Sequence, residues 1–385
     1  MIKEGRKIYL DYAATTPLDP QVLEVMRYCL EKYFGNTMSL HSFGQEAKTL
    51  LEECREKVAD LMGAKQNEVI FTSSATESNN LALKGIALAN RNRGRHIIIS
   101  SIEHPCVLES AKFLEKEGFE IEMLKVNKYG LVDPVDVERS IRKDTILVSV
   151  MHANNEIGTI QPIKEIGKIC RDKNVYFHTD AAQTFGKIPL NVKDMKIDLM
   201  TVSSHKIYGP KGVGALFIRE GVKIEPLLHG GGQEMGLRSS TVNVPAIVGF
   251  SKACEIAKEN MLTESKRLKE LSEKLIKGVL ENVPESYLNG DFYKRLPNII
   301  NFWFKGVNGE DLAIKLDLMG IAVSTGAACS TQKLKENHVL LAIGLNEEEA
   351  QSALRISLGR WTTKDDIDYF LSVLPNIIKK LRKIS

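Results

Sequence analysis

Between residues 68 and 203, short apolar runs alternate with amphipathic segments, and this alternation restricts the fold more than any other feature. The runs are rich in Ile and Val and end on polar residues, as buried strands do; they cover residues 68–73, 97–101, 121–126, 145–151, 175–180 and 198–203. Helical patterns lie between them at 76–91, 105–117, 134–142 and 161–173. This order predicts an α/β fold with a mostly parallel sheet flanked by helices, whose ligands bind beyond the carboxyl ends of the strands.

The pattern changes after about Val244. A long charged amphipathic stretch runs to about residue 282, and shorter strand patterns follow at 298–304 and 353–358, between helical patterns at 309–319 and 364–384. We therefore expect a second, smaller α+β domain joined through a long helix. The predicted division is an N-terminal segment 1–15 that packs with the smaller domain, a large domain 16–260, and a small C-terminal domain 261–385.

Composition narrows the class of protein. A chain of 385 residues can bury the cores of two domains, and its net charge of +3 gives no reason to expect nucleic acid or a membrane surface as a partner. The N-terminus is charged where a signal peptide would be apolar, and no segment approaches the length of a membrane span. The six cysteines are scattered, which favours free thiols in a cytoplasmic protein.

Polar residues follow the predicted strands at the edge where ligands of such sheets bind. The groups are Ser73 to Thr76, Glu103-His104, Asn154-Asn155, Asp180 with Gln183, and Ser203 to Lys206. One polar strand end is ordinary, because loops are polar. Five that converge on one edge predict a binding or catalytic site.

Lys206 follows a buried strand in the stretch SSHKIYGPKG. A loop lysine can simply be solvated, but a partly buried one has a lowered pKa, and its neutral amine can form an imine with an aldehyde. Asp180 ends the preceding strand, where a carboxylate could keep the pyridine nitrogen of pyridoxal protonated. The alternative for Asp180 is a helix cap ahead of Ala181.

Ala75 and Thr76 open a helix, so their N–H groups and the helix dipole could hold a phosphate, or could form no more than a helix start. His104 could cap a helix, lie in the core, or stack on a cofactor ring and move protons. His104-Pro105-Cys106 has no partnering CxxC pair, so no metal site is predicted.

Taken together, these stretches resemble the cysteine desulfurases of the IscS/NifS type, which belong to the class V aminotransferase group of fold-type-I pyridoxal-phosphate enzymes. The resemblance runs from Tyr9 to Arg360 in the family's order. It rests on the stretches YLDYAATTP, FGN, FTSSATESNN, IEHPCV, HANNEIGTIQ, HTDAAQ, SSHKIYGPKG, HGGGQEMGLRSST, STGAAC and RISLGR.

The resemblance implies pyridoxal 5'-phosphate as the cofactor and assigns its contacts. Lys206 would hold it covalently, Asp180 would pair with the pyridinium nitrogen, and His104 would stack on the ring. Gln183, with Asn155 beside it, would face the phenolic oxygen. The residues implied to hold the phosphate are Ala75, Thr76, Ser203, Ser204 and His205.

The resemblance also implies partners. Thr241 is similar to the residue that reaches the phosphate of the other subunit, which implies a homodimer. Asn36 and Arg355 would bind the substrate carboxylate, for which an arginine fork is suited. Cys329 would be the acceptor nucleophile, and the polar stretch that ends at His338 predicts a loop around it.

The implied reaction removes sulfur from L-cysteine, giving L-alanine and a persulfide on Cys329. The sulfur would pass to an acceptor protein, such as an iron–sulfur scaffold or a tRNA-thiolation protein, with Cys329 contacting a nascent iron–sulfur cluster during transfer. The alternatives are a selenocysteine lyase, another class V aminotransferase, or a non-catalytic sulfur scaffold. Cys329 argues against transamination, which needs no nucleophilic thiol, and Lys206 argues against a scaffold, which needs no imine.

Overall fold

A seven-stranded sheet forms the centre of the protein, in a computed structural model that describes residues 7–326 and 337–383. Its strands, in chain order, are β2 (Val69–Thr72), β3 (His96–Ser100), β4 (Glu120–Leu124), β5 (Thr145–Ser149), β6 (Tyr176–Asp180), β7 (Leu199–Ser203) and β8 (Gly214–Ile218). In space they are ordered β2-β8-β7-β6-β5-β3-β4. Every neighbouring pair from β7 to β4 is parallel, and β8 runs antiparallel to both β7 and β2.

The sheet is buried on both faces, because successive residues of a strand point to opposite sides. In β3, Ile98 belongs to one apolar core, whereas Ile97 and Ile99 belong to the other. The helices are α1 (Pro20–Lys32), α2 (Ser42–Met62), α3 (Ala75–Asn90), α4 (Pro105–Lys116), α5 (Pro134–Ser140), α6 (Ile163–Asp172), α7 (Val244–Asn282), α8 (Gly309–Leu318), α9 (His338–Ala342), α10 (Glu347–Gln351) and α11 (Lys364–Leu381).

The helix starts follow capping chemistry. Asp19 and Asp133 each accept a hydrogen bond from a backbone N–H of the first turn, and a proline stands next at the first helical position. Proline is suited to that position because its missing N–H would have no partner inside the helix. Ser74 caps α3 in the same way by accepting from the N–H of Glu77, so the start of α3 is defined by local sequence.

A second sheet lies in the C-terminal part, with β9 (Ser286–Asn289), β10 (Ile299–Phe304) and β12 (Ala353–Ser357) antiparallel in the order β12-β10-β9. The N-terminal β1 (Ile8–Tyr9) pairs in parallel with β11 (Ile321–Ala322). Ile8 and Leu10 are part of the apolar core that α8, α11 and the second sheet share.

Helix α7 joins the two parts of the chain. Residues near its start, such as Ile247 and Phe250, pack in the core beside the large sheet. Residues near its end, such as Leu275 and Val279, pack in the core beside the second sheet. The stretch predicted to run from about residue 244 to about 282 is therefore one helix of 39 residues. The exact limits predicted for the domains remain predictions.

The predicted α/β architecture is confirmed, and each predicted strand and helix has a counterpart in the structure. Sequence patterns did not predict several elements, namely α1, α2, α10, β1, β8, β9 and β11. They were also wrong at His338, which begins α9 instead of ending a loop. Among the described residues, no helix combines the length and apolar character that crossing a bilayer requires.

Candidate functional site

The carboxyl ends of β3, β6 and β7 meet at one edge of the large sheet, because these strands are parallel. Lys206 is the last residue of a short 3₁₀ helix, Ser204–Lys206, that directly follows β7. Its Nζ donates to the backbone oxygens of Ala13 at 2.5 Å and Ala14 at 2.7 Å. The lysine is thus directed into the sheet edge, where the N-terminal segment covers it.

Asp180 is the last residue of β6 and is buried. Its Oδ2 accepts from Nδ2 of Asn79 on α3 at 2.6 Å, and its Oδ1 accepts from the N–H of Ala182 at 2.9 Å. The helix-cap alternative is thereby partly realised, since Oδ1 closes the turn after β6. The Asn79 contact holds the carboxylate in one orientation against the start of α3.

His104 is the N-cap of α4, where its Nδ1 accepts from the N–H of Cys106 at 3.3 Å. Burial lowers the pKa of His104; the charge of Lys206 lowers it further, whereas Asp180 raises it. The ring therefore lies within electrostatic range of both residues that sequence patterns singled out. The cap uses Nδ1, so the rest of the imidazole is available to face a ring.

The start of α3 lies at the same edge of the sheet and is a candidate phosphate site. Ala75 and Thr76 occupy its first turn, where backbone N–H groups have no partner within the helix. Gly214 at the start of β8 permits this close approach, because a Cβ there would come within 2.9 Å of the backbone carbon of Ser74. The Ser203 hydroxyl is buried and has no hydrogen-bond partner among the described residues. A phosphate would satisfy such a donor.

The two residues after Ser203 are placed differently. The Ser204 hydroxyl is directed at Gly209, where a Cβ would come within 2.1 Å of it. The Nδ1 of His205 lies 3.1 Å from Oγ1 of Thr15. Burial, followed by the charge of Lys206, lowers the pKa of His205 to about 4, so the ring is neutral at physiological pH.

Gln183 is buried beside the N-terminal segment, and its Nε2 donates to the oxygen of Ala13 at 2.9 Å, the same oxygen that Lys206 contacts. Lys187 donates to Oε1 of Gln183 at 3.3 Å. Burial, then the charge of Lys206, lowers the pKa of Lys187 to about 7. Sequence patterns gave no reason to single out Lys187, since its neighbourhood depends on chain packing.

Arg355 projects from β12 toward the same region and is buried. Its guanidinium donates to the backbone oxygen of Asn155 at 3.0 Å and to Oδ1 of Asp11 at 2.9 Å. Its Nε has no partner among the described residues. The structure therefore brings Arg355 to Asn155 and places a carboxylate against it.

Asn36 and Thr241 lie elsewhere. Asn36 is in the exposed loop between α1 and α2, where its Oδ1 accepts from the N–H of Met38 at 3.0 Å; its described hydrogen bonds do not reach Arg355. Thr241 is exposed in the loop before α7. Cys329 lies outside the described residues, which end at Gly326 and resume at Asn337.

His338 was not identified from sequence as a site residue, yet its Nε2 lies 2.9 Å from the backbone oxygen of Glu103. Its charge would lower the pKa of His104, so the two rings are close. Glu103 itself is fully buried, with Oε1 accepting from Ser100 and from the N–H of Met151. Burial raises the pKa of Glu103 to about 8, and the neighbouring Asp180 acts in the same direction.

Known proteins match the chain over nearly its whole length. The family model described as aminotransferase class-V matches residues 8–370. A relative named cysteine desulfurase IscS, from Dictyoglomus turgidum, is 54% identical over 380 residues, covering 99% of this chain and 96% of the relative. A solved NifS-like protein has a TM-score of 0.91 at 41% identity, covering 97% of this chain and all of its own. A structure titled SspA in complex with cysteine has a TM-score of 0.83 at 39% identity, covering 93% of this chain and all of its own.

Proposed function

Because the chain belongs to the class V aminotransferase family and is a cysteine desulfurase of the IscS/NifS type, we propose that Lys206, Asp180 and His104 form its pyridoxal-phosphate site. The family uses this cofactor. The observation that carries the assignment is the convergence of these three side chains at the ends of β7, β6 and β3. The buried hydroxyl of Ser203 and the open first turn of α3 fit a phosphate group.

Each residue has a distinct task. When bound, pyridoxal phosphate withdraws electrons from the α-carbon of an amino acid. Asp180, oriented by Asn79, would place its negative charge next to the ring nitrogen and so favour a proton there. Lys206 would hold the cofactor and, once released by the substrate amine, would take the proton from the substrate α-carbon. His104 would stack on the ring, and Gln183, with Asn155 beside it, would face the phenolic oxygen.

Arg355 and Cys329 act on the substrate. Arg355 binds the carboxylate of L-cysteine, and Asn36 is the second residue proposed for that group. The Cys329 thiolate attacks the substrate sulfur, so that an S–S bond forms as the bond from sulfur to the substrate β-carbon breaks. The electrons of the broken bond remain on the three-carbon product. Its β-carbon takes up a proton, its α-carbon regains the proton held by Lys206, and it leaves as L-alanine. The enzyme keeps the sulfur as a persulfide on Cys329.

Two variants test these assignments. Lys206→Ala should lose the yellow absorbance of the covalently held cofactor and form alanine about 10³-fold or more slowly. Cys329→Ser should keep that absorbance and lose the persulfide. The measurement is the mass of the peptide that contains residue 329, after addition of L-cysteine. A Lys206→Ala enzyme that forms alanine at the normal rate would overturn the proposal.

We also propose a homodimer, in which Thr241 reaches the phosphate of the partner subunit. An exposed apolar surface between α1 and α2 supports it. Phe34 is 74% exposed and Leu40 is 95% exposed, and the rings of Phe34 and Phe43 pack in a tilted arrangement with centroids 5.2 Å apart. Apolar patches of this kind mark interfaces. Leu40→Glu should shift the mass measured by light scattering toward the monomer, whereas Leu318→Glu, at a distant exposed leucine, should leave the dimer intact.

The persulfide would serve an acceptor in iron–sulfur cluster assembly or tRNA thiolation. We propose a cytoplasmic location, which the five free cysteines of the described residues support. Loss of the Cys329 persulfide on addition of a purified acceptor, followed by mass spectrometry, would identify that acceptor. The same assay with L-selenocysteine in place of L-cysteine measures whether the enzyme also acts as a selenocysteine lyase.

A further inference from the structure

Glu156 lies between Gly326 and Asn337, the residues that flank the segment 327–336, which contains Cys329 and is called the cysteine segment below. Its side chain is buried, with the residue 6% exposed. Its Oε2 accepts from Nδ2 of Asn337, the first residue after the segment, at 2.6 Å. The same oxygen is 2.8 Å from the position that a Cβ would take on Gly326, the last residue before the segment. One carboxylate oxygen thus accepts a hydrogen bond from the chain on one side of residues 327–336 and lies beside the chain on the other.

Each end is also held by its own element. The N–H of Gly326 donates to Oγ of Ser324 at 3.1 Å, and Ser324 exchanges two backbone hydrogen bonds with Arg355 of β12. Asn337 caps α9, its Oδ1 accepting from the N–H of Leu340 at 3.1 Å. The two anchors belong to separate elements, so a side chain that bonds to one and lies beside the other restricts how far apart they can be.

Glu156 comes from the other side of the site. It follows Asn155 in the loop after β5, and its N–H donates to Oδ1 of Asn154 at 2.9 Å. Asn155 accepts from Arg355 through its backbone oxygen at 3.0 Å. The carboxylate therefore joins the loop next to the cofactor residues to Asn337. It also lies beside Gly326 and within electrostatic range of Arg355.

The space around Gly326 and the electrostatic surroundings of Glu156 both suit a carboxylate at this position. Gly326 has a φ of 87°, and a side chain there would collide with Oε2 of Glu156, so glycine suits both the backbone and the space. Burial raises the pKa of Glu156 to about 7, whereas the Asn337 hydrogen bond and the charge of Arg355 lower it. A carboxylate retained in so buried a place needs these partners.

We propose that Glu156 is a positioning residue: it ties Gly326 and Asn337 to the cofactor side and so sets the approach of Cys329 to a substrate held at Arg355. This inference rests on the proposed role of Cys329. It assigns Glu156 to the sulfur-transfer step and leaves cofactor binding to Lys206 and Asp180. Loss of the tie should therefore lower kcat much more than it raises KM.

Five variants of the full-length, cofactor-bound enzyme test this contact. Glu156→Ala and Asn337→Ala should each slow persulfide formation on Cys329 about tenfold or more, with cofactor absorbance kept and KM changed less than about threefold. The double variant should be no slower than the slower single variant, because both remove one contact. Glu156→Gln keeps an acceptor oxygen and should recover most of the rate. Glu165→Ala removes an exposed carboxylate of α6 and should behave like the wild type.

A second measurement does not depend on sulfur chemistry. Without substrate, the rate at which iodoacetamide alkylates Cys329 should change about threefold or more in Glu156→Ala and remain close to wild type in Glu156→Gln. Unchanged persulfide formation and unchanged alkylation in a folded Glu156→Ala enzyme would overturn the inference. So would additive effects of the two alanine substitutions. Failure of the proposed function would instead appear in the wild type, as absence of persulfide on Cys329, while the alkylation comparison would still report on the tie.

Discussion

The cofactor side and the sulfur side of the site are held in place by different means. On the cofactor side, Asp180 ends β6 and Lys206 follows β7, so the geometry of adjacent parallel strands brings them together. On the sulfur side, Arg355 contacts Asp11, which is 344 residues away, and Asn337 contacts Glu156, which is 181 residues away. The first side depends on local strand ends and the second on single contacts between remote segments.

This difference separates two kinds of failure. A substitution at a strand end removes a chemical group while the sheet still holds the backbone, because the strands are buried on both faces. A substitution among the remote contacts changes how segments are placed and leaves the cofactor chemistry in place. The four predictions below test this separation.

Asp180→Asn should give the largest loss. The amide keeps the hydrogen bond to Ala182 but removes the charge next to the proposed ring nitrogen, so alanine formation should fall at least about 100-fold. The fold should survive, because the Oδ1 atom of Asn79 is buried without a partner and can accept from the new amide. Asp198→Asn is the matched control: this buried carboxylate lies at the other end of β7 and pairs with Arg219, so its loss should lower the melting temperature and spare the activity per folded enzyme.

Arg355→Lys tests the residue of the sulfur side that is proposed to bind the substrate carboxylate. A lysine cannot make the fork of bonds that a guanidinium offers, so KM for L-cysteine should rise about 10- to 100-fold, with cofactor absorbance unchanged. Arg360→Lys is the control, since Arg360 pairs with Asp19 and Glu264 and has no assigned role in the site. An equal rise of KM in both variants would contradict a specific role for Arg355.

Glu103→Gln tests the boundary between the sides, because the Glu103 backbone accepts from His338 while its side chain is buried near Asp180. Burial raises the folded pKa of Glu103 to about 8, above the ordinary value of a glutamate, so the folded state binds the proton more tightly. Its contribution to stability is therefore complete below pH 4.5, the ordinary pKa of a glutamate, and is lost progressively as pH rises from there through 8. The wild type should lose about 2 kcal/mol relative to Glu103→Gln between pH 6 and pH 9 in urea unfolding. Parallel pH curves for the two proteins would contradict the shift.

Ser240→Gly should have the smallest effect. Ser240 precedes Thr241 and has a φ of 144°, which a residue with a Cβ seldom adopts. Relief of this strain should raise the free energy of unfolding by about 0.5–1 kcal/mol, net of the flexibility that glycine adds to the unfolded chain. Ser239→Gly, at a neighbour with negative φ whose hydroxyl accepts from Gly232, should instead destabilise the protein. Chemical denaturation of both variants provides the measurement.

Much of the fold followed from local pattern. The Ile- and Val-rich runs became strands of the large sheet, and the stretch from about residue 244 became α7. Strand β8 was not predicted because it starts at glycines within a turn-like stretch and its pairing depends on β2 and β7. The short α9 was not predicted because one turn of helix carries too little periodicity.

The sequence by itself determined six strands of the large sheet, the polar strand ends and the residues Lys206 and Asp180. Strand–helix alternation implies parallel strands, and the carboxyl ends of parallel strands lie at one edge. Tertiary structure alone decided that Ala13 accepts from both Lys206 and Gln183, that His338 lies beside His104, and that Glu156 bonds to Asn337 and lies beside Gly326. The physical reason is that these contacts join segments far apart in the chain, which meet only when it folds, as β1 meets β11. No local periodicity in the sequence indicates such contacts.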